Sequence, residues 1–379
     1  MKVILSVDAL QPTLTGVGRY ALELARRLKT DSRVEDVRYW HLHQWIDDVD
    51  GLLVDGGRGR NRKWKPSRLV KNDYTVSLHR RWCSYRAARE INRTPDWIFH
   101  SPNFTLPAFS GKCVVTIHDL SAFRYPDFHP CDRVELMHRE VPVALHRAEH
   151  IIAVSEFTRR EIADYFGVAD ARITAIPNGV GSTFRPRAVE DVAPMLGKHG
   201  LVHGTYVLFV GTIEPRKNVL QLLRAYSSLE PSTRAKLPLV LAGAQGWNSE
   251  EVHDAIRIAE GEGWARYLGY LPDEEVSALL SGALCFVYPS LYEGFGLPVL
   301  EAMASGIPVV TSIGSAMAEV ANGAALLIDP NDVRSITEGM RAAIEDSSWR
   351  ALAASRGVEV ARAYTWKNTV KRTVDLYDS

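Results

Sequence analysis

At 379 residues the chain is long enough for two ordinary domains, and its 46% apolar content suits a water-soluble globular fold. Its 45 lysines and arginines balance 45 aspartates and glutamates, so overall charge suggests no partner, and no nucleic-acid-binding module is read in the sequence. No apolar run reaches the roughly eighteen residues of a membrane span, Asp8 interrupts too short an apolar stretch for a signal peptide, and Cys83, Cys113, Cys131 and Cys285 are scattered without a C-x-x-C pair. The thiols therefore read as reduced, in a cytosolic protein, and not as a zinc site or disulfide frame.

Lys2 to Val7 reads as a first strand, apolar as in a covered parallel sheet. A flexible loop, Thr15-Gly-Val-Gly18, leads to an amphipathic helix whose inner face is Val17, Tyr20, Ala21, Leu24, Ala25 and Leu28. Gly16, Gly18 and Ala21 match the spacing of a dinucleotide fingerprint. The glycines come well after the strand tip, however, and the second strand (Val37 to Leu42) ends without an acid for a ribose, which argues against NAD. Asp48-Val-Asp50 lies in a polar stretch with no strand leading into it and reads as a solvated loop, with no metal expected.

From Arg58 to Arg93 twelve lysines and arginines face only Asp73 and Glu90, with Trp64, Trp82 and Tyr85 interleaved. Such a stretch suits an anionic membrane surface or a lipid-linked phosphate, and equally a solvated loop and helix face. Trp97 to His100 and Cys113 to Ile117 are buried strands, the second ending in His118-Asp119 at the carboxyl edge where open α/β sheets place ligands. A helix over Val134 to Ala148, a strand over Ile151 to Val154, Ser155 as N-cap of a helix over Phe157 to Tyr165, and a strand over Ile173 to Ile176 follow. Pro177-Asn-Gly179 is a turn, and Gly181 to Pro194 has linker composition.

Tyr206 to Gly211 opens a second domain as a strand ending in glycine. Arg216 and Lys217 then stand at the start of a helix with Val219, Leu222, Leu223 and Tyr226 inward. Two cations there oppose the helix dipole, a conflict that a bound anion such as a nucleotide diphosphate would remove. Strands over Pro238 to Ala242 and Arg266 to Tyr270 and a helix over Glu274 to Ser281 lead to Cys285 to Ser290, a short buried strand. After it comes Glu293-Gly-Phe-Gly-Leu-Pro-Val-Leu-Glu301, then Ala-Met-Ala-Ser-Gly306. Pro298 suits the first helical position, Gly306 is a natural stop, and Gly294 and Gly296 let backbone approach a ligand at a helix tip. Helices over Val333 to Ile344, Trp349 to Tyr364 and Lys367 to Tyr377 end the chain.

The Glu293 to Glu301 string resembles the E-x7-E signature of the GT-B glycosyltransferases of family 4, which are retaining and use nucleotide sugars. The resemblance runs from the glycine loop to the terminal helix and is strongest from Gly211 to Val310. It implies an α/β chain of two Rossmann-like doubly wound domains facing a cleft: residues 1–182 for the acceptor, 183–362 for the nucleotide sugar, and 363–379 as a helix crossing back to the first domain, anchored by Trp366. In its terms Gly16 and Gly18 face the cleft near the diphosphate, and the I-H-D string puts His118 beside the donor sugar. Pro-Asn-Gly-Val180 closes the first domain. Gly211, Arg216 and Lys217 hold the diphosphate together with Gly294, Phe295, Gly296 and Leu297. The base rests around Leu268, bonded mostly to backbone. Glu301 takes the ribose hydroxyls, and Glu293 with His118 orients the sugar.

The expected activity is therefore transfer of a hexose, without a metal, from a nucleotide sugar to a lipid-linked glycan. The short form with V-G-R-Y near its start resembles bacterial surface-polysaccharide mannosyl- and rhamnosyltransferases, which suggests GDP-mannose or a GDP-deoxyhexose as donor. A glycosidase using Glu293 and Glu301 as paired carboxylates, or a carbohydrate-binding protein without catalysis, are the competing readings.

Overall fold

The computed structural model describes residues 1–12, 14–54 and 88–379. Most of the basic stretch lies outside the described residues; of its cations Arg89 and Arg93 are described, and Arg93 makes a surface pair with Glu90 at 3.0 Å.

The first sheet contains β1 (Lys2–Ser6), β2 (Asp36–His41), β3 (Gln44–Ile46), β4 (Ile98–Ser101), β5 (Cys113–Ile117), β6 (His150–Ala153) and β7 (Ile173–Ala175). Their spatial order is β3-β2-β1-β4-β5-β6-β7, parallel except for the β2–β3 hairpin. The second sheet contains β8 (Val207–Val210), β9 (Leu239–Ala242), β10 (Ala265–Tyr267), β11 (Cys285–Tyr288), β12 (Val309–Ser312) and β13 (Leu326–Ile328), ordered β10-β9-β8-β11-β12-β13 and parallel throughout. The central strands are continuous apolar runs (VLFV, LVLA, CFVY) because helices cover both faces and leave no solvated side for alternation.

In each sheet the order reverses beside the first strand, between β1 and β4 and between β8 and β11. A crevice opens beyond the carboxyl ends at such a point. The chain therefore brings Gly211 to Lys217, after β8, next to Pro289 to Glu293, after β11.

Three local readings are corrected. Gly16 and Gly18 lie in the first turn of the Gly16–Arg27 helix, not in a loop: the Thr15 hydroxyl accepts from the Gly18 N–H at 3.2 Å and sets the start. The linker ends before Val189, where a Val189–Lys198 helix begins with Pro194 inside it. Burial of Val192 and Leu196 in the second domain's core outweighs the local cost of the proline. A strand does lead into Asp48-Val-Asp50: β3 continues β2 through a turn at Leu42 and His43, whose φ values are 43° and 74°.

The last helix, Trp366–Tyr377, leaves the second domain and buries Trp366, Val370, Val374 and Tyr377 in the core of the first. The Tyr377 hydroxyl meets His100 Nδ1 at 2.6 Å, and His100 Nε2 meets Thr116 Oγ1 at 2.9 Å. The two crossings between the domains run side by side: Val180 bridges to Thr365, and a Cβ on Gly179 would stand 2.1 Å from the Trp366 nitrogen. Only glycine fits there.

Candidate active site

After β8 the chain makes one 3-10 turn, Pro215–Lys217. Asn218 then takes a left-handed φ of 61° and starts the Val219–Ser227 helix. That turn faces the end of β11, and Glu293 fills the space between them. Lys217 Nζ lies 2.5 Å from Glu293 Oε1 and Arg216 Nη1 2.8 Å from Oε2. The hydroxyls of Tyr288 and Ser290 donate to Oε1 at 2.9 and 2.8 Å. Burial alone would push this carboxyl up, but Arg216 and Lys217 hold it at about 2.

The conflict read from the sequence is thus met inside the protein. Lys217 is buried and Arg216 nearly so, and Glu293 compensates both, with Glu214 2.8 Å from Arg216 Nη2. What stays open is a set of donors. Arg216 Nε is buried without an acceptor. Lys217 donates to Tyr288 and Glu293, leaving one of its three hydrogens. Among the described residues, the N–H groups of Gly294, Phe295, Gly296 and Leu297 find no acceptor. Gly296 takes a φ of 96° as it starts the Leu297–Ala304 helix, which glycine accepts without strain. The result is a group of uncommitted donors gathered at a helix start.

The other expected site residues fall into two groups. Gly211 and Gly243 bring two strand tips together so closely that a Cβ on Gly243 would stand 1.9 Å from the Gly211 carbonyl. Leu268 spends its N–H on the Leu241 carbonyl at 2.9 Å, and Phe295 turns its ring into the core beside Tyr364. Neither side chain carries a polar group, and the Leu268 N–H is already committed.

Glu301 sits one turn inside its helix and is buried. Burial pushes its carboxyl up to about 7, with Arg19 opposing and Asp273 adding to the rise. Gly16 lies against Leu297 of the other domain, 3.5 Å from where its Cβ would be to Leu297 Cδ1.

On the first domain, His118 follows β5. Its Nε2 lies 2.9 Å from the Pro102 carbonyl, which can only accept, so Nε2 carries the hydrogen and Nδ1 is the acceptor. Tyr20 meets the ring edge-on at 5.0 Å. Burial lowers the His118 pKa, so the ring is neutral near pH 7. Asp48 accepts from the Asp50 N–H and Asp50 pairs with Arg26, which places the D-x-D string in an ion-paired loop.

The domains meet along a polar seam. The Gly294 carbonyl accepts from the hydroxyls of Ser155 at 2.6 Å and Thr158 at 3.0 Å. Ser155 is also the N-cap expected for the Glu156–Phe166 helix. Glu319 reaches that helix start and accepts from the N–H groups of Glu156 and Phe157 at 2.9 and 2.8 Å. The Tyr292 hydroxyl accepts from the Leu120 N–H and donates to Glu161. The Trp247 indole donates to the Phe128 carbonyl at 2.6 Å.

Sequence reading missed Arg19, Tyr288, Ser290 and Tyr292. Tyr288 and Ser290 stand at a strand's carboxyl end, a signal that could have found them; Arg19 carried only its place after the glycines.

A model for glycosyl transferases group 1 matches residues 198–358, and one for glycosyltransferase family 4 matches residues 14–183. Over 378 residues the chain is 37% identical to the O-antigen chain mannosyltransferase B of Escherichia coli, covering 100% of this chain and 99% of that one. It is 30% identical over 327 residues to the serotype-specific mannosyltransferase WbdA of Escherichia coli, covering 79% of this chain and 39% of that one. Anabaena HepE, solved in complex with UDP and glucose, shares the fold at a TM-score of 0.75 and 16% identity, over 100% of both chains. With two doubly wound domains around a cleft and a relative matched end to end, the chain belongs to the GT-B glycosyltransferases of family 4.

Proposed function

We propose that the protein is a retaining hexosyltransferase that moves mannose, or a related 6-deoxyhexose, from a GDP-linked donor to a lipid-linked glycan during cell-surface polysaccharide synthesis. The observation that carries the reading is the set of uncommitted donors at the cleft: buried Arg216 Nε, the remaining Lys217 hydrogen and the amides of 294–297. A departing nucleoside diphosphate gains negative charge as the glycosidic bond breaks, and fixed donors aimed at that charge supply the largest catalytic contribution.

Glu301 accepts from the ribose hydroxyls, while Glu293 and neutral His118 orient the sugar. A covalent nucleophile is a poor role for Glu293, whose two oxygens already receive four donors. The reaction therefore proceeds on one face of the sugar, with a diphosphate oxygen drawing the proton from the acceptor hydroxyl. The choice of mannose and of a surface glycan rests on the name of the full-length relative. Among the described residues no helix is long and apolar enough to cross a membrane, and a lipid-linked acceptor brings the enzyme to the cytoplasmic leaflet through the Arg58 to Arg93 stretch.

A panel of GDP-, UDP-, ADP- and dTDP-sugars with a synthetic lipid-linked acceptor tests this. GDP-mannose should give transfer and a product anomer matching the donor. An inverted anomer would overturn retention, preference for a UDP sugar the donor assignment, and hydrolysis of an aryl glycoside without transfer the whole reading.

A further inference from the structure

Arg19 belongs to the first domain but spends its guanidinium on the second. It sits in the Gly16–Arg27 helix, with Nη2 2.6 Å from Asp273 Oδ1 and Nη1 3.6 Å from Glu301 Oε1. Its Cζ lies 5.7 Å from the centroid of the Phe184 ring in the link between domains. The Arg19 side chain is 18% exposed and that of Glu301 10%, so this pairing is largely out of water. Glu301 lies one turn inside the Leu297–Ala304 helix, and its own domain presents it with another carboxylate, Asp273. The cation that balances it arrives from across the cleft.

We propose that Arg19 is the positioning residue for Glu301: it holds the Glu301 carboxylate as a diol acceptor only while the two domains are together, so that opening of the cleft loosens the nucleotide's ribose. The proposal rests on Glu301 as the ribose-binding group. The charged groups that face Glu301 are Arg19 from the first domain and Asp273 from the start of the Asp273–Gly282 helix, with Glu23 behind Arg19. Glu293, further along the loop, is committed to Arg216 and Lys217.

The balance has a definite sign. Burial and Asp273 favour the protonated acid, which accepts poorly from a diol; Arg19 favours the carboxylate, and with all three the group titrates at about 7. A cross-domain pair of any kind shifts the Glu301 carboxyl; only a positioning residue also changes the diol's share of nucleotide affinity.

The test compares binding of GDP, UDP and ADP with their 2′,3′-dideoxy forms by calorimetry from pH 5.5 to 9. The affinity ratio within each pair isolates the diol and cancels titration of the phosphates. In the wild type the ratio should rise with a midpoint near 7. In Arg19→Gln the midpoint should move up by about one unit, which cuts the diol's contribution at pH 7 about fivefold. Arg19→Lys should restore most of it, and Asp273→Asn should move the midpoint down. If dideoxy forms bind the wild type as tightly as ribonucleotides, or no pair binds, the ribose reading of Glu301 falls and this one with it. If the wild type discriminates but the Arg19→Gln midpoint stays in place, only the Arg19 proposal falls.

Discussion

Gly294 offers a way to test the seam without touching a charged group. Its φ lies outside the left-handed region, so alanine fits the backbone of its own domain. The obstacle stands on the other domain: an added Cβ would lie 1.8 Å from the His118 carbonyl oxygen and 2.8 Å from Asp119 Cβ. Restoring ordinary contact requires the seam to open by about 1.5 Å at that point. Ser155 and Thr158 then lose their bonds to the Gly294 carbonyl, about 1 kcal/mol each. Those losses alone disfavour the joined domains about thirtyfold, and a reacting group misplaced by about 1 Å costs on the order of a hundredfold in rate. Gly294→Ala should therefore lose about two orders of magnitude in transfer. It should melt a few degrees lower, bind inorganic pyrophosphate within about threefold because the anion donors lie on the second domain, and lose the ribose share of nucleoside diphosphate affinity that depends on Arg19. Small-angle scattering should show a larger radius of gyration. Gly261→Ala, at a helix end with open space around it, is the control and should change nothing. Wild-type turnover in Gly294→Ala, with unchanged scattering, would refute the claim that the joined arrangement is the active one.

Glu293→Ala leaves Arg216 and Lys217 without their shared counter-ion, and should cost about 3–5 kcal/mol of stability along with activity. Inorganic pyrophosphate should then raise the melting temperature more in this variant than in the wild type; equal shifts would count against an anion site. Glu301 works in the other direction, since its folded-state pKa, at about 7, stands above the ordinary glutamate value of 4.5. Its contribution to stability is complete below 4.5 and is lost as pH climbs to 7, about 3 kcal/mol in all, so Glu301→Gln should flatten the fall in melting temperature across that window while weakening nucleotide binding. An unchanged slope would contradict the burial argument. Tyr377→Phe strands the buried His100 Nδ1 and should lower stability by about 1–3 kcal/mol, with specific activity of the folded protein preserved. Neutralising several arginines between Arg58 and Arg93 should weaken association with anionic liposomes more than transfer to a soluble acceptor, and equal partitioning would remove the membrane reading.

Much of this fold could be read locally, because parallel strands buried on both faces are short apolar runs that need no partner to be recognised. The Glu293 to Glu301 string was equally legible. Its glycines, proline and carboxylates lie within nine residues, and a strand on one side fixes what the helix tip faces. Reading failed where the deciding contact was distant or where a residue's usual habit was overruled. Gly16 and Gly18 look like loop formers until Thr15 caps them into a helix. Pro194 looks like the end of a linker until tertiary burial of its neighbours is counted. Arg19 and Glu301 are 282 positions apart in sequence and meet only through the relative placement of two domains, which no periodicity encodes. The same holds for Gly294, whose small size reads as freedom for a ligand but is also required by the His118 carbonyl.

The arrangement of Glu293 carries a further consequence for the proposed chemistry. Two cations placed to receive a diphosphate would, in a buried site without donor, repel each other and resist desolvation. Glu293 removes that conflict by lying between them, so the site is assembled before a ligand arrives. In the proposed reaction a donor's diphosphate would take the free Lys217 hydrogen and the amides of 294–297 without first separating an ion pair. As it does so, the cations divide their field between two anions, and Glu293 is left with less compensation than before. A carboxylate in that position accepts more strongly from sugar hydroxyls, the groups that the proposal has it orient. In the proposed reaction donor binding and sugar alignment would thereby be coupled through the same two side chains. Lys217→Ala should accordingly impair turnover more than affinity for a free nucleoside diphosphate, and an equal loss in both would show that Lys217 serves the diphosphate alone.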